Sequence, residues 1–129
     1  MPEKNKKILV VEDDITMREI VVSKLNSFGY KVVEADDGKK AVATWTKEKP
    51  DLVLLDLMLP EMDGFTVLET MRKSADSKLA NTKVIILSNL WSKEDIERTK
   101  KLSIEQFMVK AYHTTEDILE EVKKILSKS

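Results

Sequence analysis

Three short runs in this chain are purely aliphatic: Ile8-Leu9-Val10-Val11, Leu52-Val53-Leu54-Leu55 and Val84-Ile85-Ile86-Leu87. A strand with one face in water alternates apolar and polar residues. Unbroken runs are covered on both faces, as in a parallel sheet. Helical stripes lie between them. Met17, Ile20, Val21, Leu25 and Phe28 form the first, which stops at Gly29. Ala41, Val42 and Trp45 mark a second helix, and Phe65, Leu68 and Met71 a third that fades into the polar segment 74–82. Ile96 and Leu102 give a thin fourth stripe after the capping box Ser92-Lys93-Glu94-Asp95. Thr114-Thr115-Glu116-Asp117 opens a last helix carrying Ile118, Leu119, Val122, Ile125 and Leu126.

Strands are predicted over 7–12, 30–35, 52–56, 84–87 and 106–109. Asp36-Asp37-Gly38, Pro50-Asp51 and the turn-rich Pro60-Glu61-Met62-Asp63-Gly64 separate several of these elements. Five β-then-α units predict one α/β domain spanning 1–129. It is a doubly wound, flavodoxin-like five-stranded parallel sheet with five helices on its two faces. The most apolar strands belong at the centre and those near Val32 and Phe107 at the edges, which fits the order 2-1-3-4-5. Ligands of such sheets bind beyond the carboxyl ends of the strands at the switch point, here between the first and third strands.

Those ends are acidic. The first strand runs into Glu12-Asp13-Asp14, the third into Asp56; the fourth ends in Ser88 and the fifth in Lys110. Carboxylates sharing a site raise one another's pKa unless a cation neutralises them. Hard oxygen ligands open to water suit Mg²⁺, which keeps several waters and accepts a phosphate oxygen. The single histidine, His113, excludes a multi-histidine transition-metal site. With the metal in place Asp56 can act as a nucleophile toward a phosphoryl group. Mg²⁺, the Lys110 ammonium, and the Ser88 hydroxyl or a backbone N–H then answer the three equatorial oxygens of phosphoryl transfer.

Composition narrows the setting. The net charge is −1 and the 19 lysines are spread along the chain, so no basic surface points to nucleic acid. Absence of cysteine excludes a disulfide scaffold and thiolate metal sites, and fits a reducing cytoplasm. No stretch has the length of a membrane span, and Met1-Pro2-Glu3-Lys4-Asn5-Lys6-Lys7 is not a signal peptide. A cytoplasmic protein is expected.

Four pieces carry a specific resemblance when taken in order: Ile8-Leu9-Val10-Val11-Glu12-Asp13-Asp14; Asp56-Leu57-Met58-Leu59-Pro60 with Met62-Asp63-Gly64; Leu87-Ser88; and Phe107-Met108-Val109-Lys110. Over nearly its whole length the chain resembles the receiver domain of two-component response regulators, and is similar to the single-domain chemotaxis regulator. The resemblance implies that Asp56 accepts phosphate from a histidine kinase or phosphotransfer protein. It implies Mg²⁺ on Asp13, Asp56 and the backbone carbonyl of Met58, with Glu12 acting through water. Ser88 and Phe107 match the switch positions. Their movement would reshape the face made by the fourth helix (after Ser92), the fifth strand and the last helix, where a downstream protein binds. The chain would catalyse only its own phosphorylation and dephosphorylation. No direct nucleic-acid or membrane contact is expected, and the chain is read as a monomer, with dimerisation through that face on phosphorylation as the alternative.

Departures from the family pattern locate what is particular to this chain. Ala111 follows Lys110 where proline, often in a cis peptide, is usual. Asn89 follows Ser88 where a small residue is usual, and would narrow access to Asp56. Met58 and Leu90 hold positions that tune phosphoryl lifetime; two apolar side chains position a hydrolytic water poorly, so slow autodephosphorylation is expected. Ser103-Ile104 replaces a common Gly-Ala. Asp14 reads as a helix N-cap, His113 as a surface or capping residue, Trp45 as core, Trp91 as loop packing, and Gly38 and Gly64 as turn or helix starts. Two rivals remain: a Mg²⁺-dependent hydrolase, disfavoured because Met58 stands where a second acid/base aspartate belongs, and a degenerate receiver binding partners without phosphorylation.

Overall fold

The computed structural model describes residues 5–127, so the reading of Met1 to Lys4 lies outside the described residues. The elements follow the order β1 (Lys7–Val11), α1 (Ile15–Phe28), β2 (Lys31–Ala35), α2 (Gly38–Glu48), β3 (Leu52–Leu55), α3 (Gly64–Arg72), α4 (Ser77–Ala80), β4 (Lys83–Ser88), α5 (Lys93–Lys100), β5 (Gln106–Val109), a 3₁₀ turn (Lys110–Tyr112) and α6 (Thr115–Leu126). The five strands are all parallel, in the order β2-β1-β3-β4-β5. This is the expected doubly wound sheet, with the apolar strands central and the more exposed β2 and β5 at its edges.

Alternation along each strand builds two cores. Ile8, Val10, Leu52, Leu54, Ile85 and Leu87 face α1 and α6, while Leu9, Val11, Val53, Leu55, Val84 and Ile86 face α2 and α3. The register Val10↔Leu54↔Ile85 continues one core layer across three strands. A shift by one residue would exchange the two sets of side chains, so the two-sided packing pins the register. No helix among the described residues is long and apolar enough to cross a membrane.

Local signals behave as their chemistry dictates. Asp14 caps α1 by accepting from Met17 N, and Gly29, at φ 113°, supplies the left-handed residue that ends it. Both capping boxes form, at Ser92/Asp95 and Thr114/Asp117. Trp45 is buried, as expected of a core residue.

Three details differ from the sequence reading. Among the described residues there are six α-helices, not five, because the polar segment 74–82 contains the single turn α4. Asp76 creates it by accepting from Lys78 N and Leu79 N; four residues are too few to show an apolar period. Ile20 is exposed, at 48%, on the outer surface of α1. Leu102 lies past the end of α5, though it still packs against the core; α5 itself buries Thr99 and sets exposed Arg98 4.0 Å over the Phe65 ring of α3.

Beyond α5, Ser103 sits at φ 60°, and its exposed side chain does not need that conformation. Ser103→Gly is expected to raise stability by about 1 kcal/mol, because a left-handed backbone is costly for a residue with a Cβ. Urea denaturation tests this: an unchanged or lower midpoint would refute it.

Candidate functional site

The loops leaving β1, β3, β4 and β5 all start from the carboxyl end of the parallel sheet. Asp56 follows β3 directly and is 5% exposed; Glu12 follows β1 and is 4% exposed. Both belong to the ladder's end: Glu12 N donates to Ala35 O at 3.0 Å and Asp56 N to Val11 O at 3.2 Å. Strand pairing therefore fixes their backbones and directs both carboxylates to the same mouth.

Lys110, 54 residues further on, closes the cluster. Its ammonium donates to Asp56 Oδ2 at 2.6 Å and also pairs with Glu12 Oε1. The other Asp56 oxygen accepts from Met58 N at 3.1 Å, and the other Glu12 oxygen accepts from Asp14 N at 3.0 Å. Asp13 lies exposed beside them, and one oxygen from each of Glu12, Asp13 and Asp56 falls within 4.8 Å of the others. This donor set of hard, anionic oxygens fits a divalent cation of the magnesium type.

Burial pushes the Glu12 carboxyl above the usual glutamate range, even though the hydrogen bonds from Lys110 and the Asp14 amide pull it down. Burial also works against the Lys110 ammonium. Its bonds to Asp56 and Glu12 outweigh that and raise its pKa above 10.5. A carboxyl with a raised native pKa binds more protons folded than unfolded, so stability from this group falls as pH rises. Wild type minus Glu12→Gln stability is thus expected to be most favourable below pH 4.5 and to decline as pH rises through the higher native midpoint of Glu12. Denaturation of both proteins in the absence of metal, across that range, checks the sign; an increase with pH would contradict it.

Ser88 ends β4, completely buried, opposite Val109 in the last rung of the β4–β5 ladder. Its Oγ accepts from Leu90 N at 3.1 Å, so the hydroxyl is engaged within its own loop. Phe107 is half-buried against the core under α3. The Met58 side chain is 60% exposed, and with Leu90, Leu59, Pro60 and Phe65 it lines an open cleft that begins at Asp13. Gly64 holds the base of this region: its N–H donates to Leu57 O, and a Cβ there would collide with the carbonyl of Asp56.

The structure thus brings Glu12, Asp13, Asp56 and Lys110 together and places Ser88 beside them. His113 lies outside the cluster, 3.6 Å from Asp117 at the start of α6, as a surface residue. No cis peptide occurs among the described residues, so Lys110-Ala111 is trans. One contributor, Arg18, was not found from sequence, and Asn89, expected to narrow access to Asp56, makes a contact that was not foreseen. Arg18 Nη1 supports the Glu12 carbonyl at 2.8 Å, and Asn89 Oδ1 accepts from Ala111 N at 2.9 Å. The Asn89 link spans 22 positions, and no local pattern announces such a pair.

Known proteins are similar to this chain in sequence and fold. A family model for the response regulator receiver domain matches residues 8–123. The "Probable transcriptional regulator ycf27" of Cyanophora paradoxa is 37% identical over 111 residues, covering 86% of this chain and 44% of that protein. The chain likewise spans less than half the length of the other ycf27 proteins first matched. Sporulation initiation phosphotransferase F of Bacillus subtilis is 35% identical over 122 residues, covering 95% of this chain and 94% of that one. Among solved structures, a CheY-like response regulator receiver domain protein from Methanospirillum hungatei superposes with a TM-score of 0.87 at 27% identity, covering 96% and 95% of the two chains. With the acidic cluster in place and the match running from β1 into α6, the chain belongs to the response regulator receiver domain family.

Proposed function

We propose that the chain, 1–129, is a single receiver domain working as a phosphorylation-controlled switch. Asp56 accepts a phosphoryl group from a phosphohistidine on a sensor kinase or phosphotransfer protein. The observation that carries this reading is the buried Asp56 carboxylate, held by Lys110 beside Glu12 and Asp13 at the open end of the sheet.

Asp13, Asp56 and the Met58 carbonyl would hold Mg²⁺, with Glu12 acting through water; the bound ion supplies positive charge to the phosphoryl oxygens. An Asp56 carboxylate oxygen forms the new O–P bond as the donor's N–P bond breaks. The Lys110 ammonium, already against Asp56, remains to pair with a phosphoryl oxygen. Ser88 exchanges its bond to Leu90 N for one to the phosphoryl group, and Phe107 turns further inward. These shifts bias the face of α5, β5 and α6 toward a protein partner. In this reading catalysis is limited to the domain's own phosphorylation and dephosphorylation. The ycf27 proteins, more than twice as long as the stretch they share with this chain, are named probable transcriptional regulators.

Incubation with acetyl phosphate and Mg²⁺ should add one phosphoryl group per chain, seen by mass spectrometry and lost in Asp56→Asn. Continuous turnover of many equivalents would favour the hydrolase reading, and no adduct would favour the inert adaptor. Exposed Met58 and half-buried Leu90 put apolar surface around the approach to Asp56. Slow autodephosphorylation is expected, and a phosphoryl half-life of seconds would exclude it.

A further inference from the structure

The β4–β5 ladder ends at Ser88↔Val109, one residue before Asn89 on one strand and Lys110 on the other. Past that rung no strand pairing holds the two chains, yet the site's hydroxyl and ammonium depend on where they lie. Two side-chain contacts continue the connection. Asn89 Oδ1 accepts from Ala111 N at 2.9 Å. Two residues beyond Asn89, Trp91 meets Tyr112 edge-on, with ring centroids 6.0 Å apart and planes at 62°. Segments 88–91 and 110–112 are thus fastened at two points.

The tie bears directly on the ammonium. Lys110 is held at its tip by Asp56 and Glu12. At its base, the peptide joining it to Ala111 is held by Asn89. Once Asp56 is phosphorylated, the tip exchanges its carboxylate partner for a phosphoryl oxygen while Glu12 still holds it, and the base contact limits how far the side chain can stray during that exchange. A side chain with many rotamers needs such a fixed origin to deliver its charge to one place.

We infer that Asn89 is a positioning residue whose side-chain carbonyl holds the Lys110–Tyr112 turn, and through it the Lys110 ammonium, in step with Ser88. This rests on the phosphoacceptor reading for its consequence but not for its geometry. Asn89 sits next to the reacting groups, and it acts on them by grasping the neighbouring loop rather than by narrowing the approach to Asp56.

Asn89 is exposed, so its substitution leaves both cores intact. The test uses ¹⁵N-labelled wild type, Asn89→Ala and Asn89→Asp, the last keeping an acceptor oxygen at the same place. Hydrogen exchange of the Ala111 amide, the NMR signal of the Lys110 ammonium and the rate of phosphorylation by acetyl phosphate with Mg²⁺ are measured together. In Asn89→Ala, Ala111 exchange should accelerate about threefold to tenfold, the loss of one ordinary hydrogen bond. The Lys110 signal should broaden and phosphorylation should slow by a similar factor. Asn89→Asp should restore Ala111 protection and a sharp Lys110 signal. Equal Ala111 protection in wild type and Asn89→Ala would overturn the inference. So would lost protection with an unchanged Lys110 signal and rate. If wild type accepts no phosphoryl group, the phosphoacceptor reading fails, and the positioning role is decided by the two NMR signals alone.

Discussion

Lys110→Ala is expected to destabilise the metal-free protein by about 3 kcal/mol or more, because it removes the cation that, among the described residues, bonds two buried carboxylates. Glu12 and Asp56 are each about 95% buried and have Asp13 beside them. An unpaired buried charge escapes its cost by taking up a proton, so the deficit should shrink on acidification through the raised midpoint of Glu12. On the proposed reading Mg²⁺ would bind this cluster only in the native state, and without the competing Lys110 ammonium it should stabilise the variant more than wild type. Phosphorylation by acetyl phosphate should slow on the order of a hundredfold, the scale of losing one preorganised charge-stabilising donor. Denaturant titration with and without Mg²⁺ checks the first three effects. A variant as stable as wild type in chelator would show that the ion pair does not govern the cluster.

Arg72→Ala is the second large effect, and it acts away from the acidic cluster. The guanidinium at the end of α3 donates to four backbone carbonyls: Ala80, Thr82, Leu102 and Ser103, at 2.6–3.0 Å. It joins α3, α4, the entry to β4 and the loop between α5 and β5. Removing it strips charged donors from part-buried carbonyls and is expected to cost about 3 kcal/mol. Ser103, in its left-handed conformation, is held by one of these bonds, so the α5–β5 loop should show the largest rise in amide exchange. Arg72→Lys should recover little, since an ammonium cannot span the positions reached by a planar fork. A loss below about 1 kcal/mol, or full recovery with lysine, would be incompatible with this role.

The pattern of legibility follows from the range of the interactions. Ile8 to Val11 and Leu52 to Leu55 announced buried parallel strands because their composition alone requires cover on both faces. Ser92/Asp95 and Thr114/Asp117 announced helix starts because a capping box is complete within four residues. The cluster of Glu12, Asp13 and Asp56 was readable because parallel strands deliver their carboxyl ends to one side. Alpha-4 was not, since one turn capped by Asp76 has no apolar period, and Ile20 was assigned inward because a stripe on α1 is wider than the face it buries.

The sequence by itself determined the parallel sheet, which strands lie at its centre and which at its edges, and the acidic mouth, because these depend on local hydrophobic period and strand ends; the order 2-1-3-4-5 was compatible with that ranking and is fixed by the pairing. Only the tertiary structure decided that Lys110 bridges Glu12 and Asp56, that Ser88 is turned to Leu90, that Arg72 gathers four distant carbonyls, and that Asn89 and Ala111 are partners. The physical reason is that a hydrogen bond is directional and short. Whether two groups separated by 22 or 54 positions make one depends on loop paths that no run of neighbouring residues encodes.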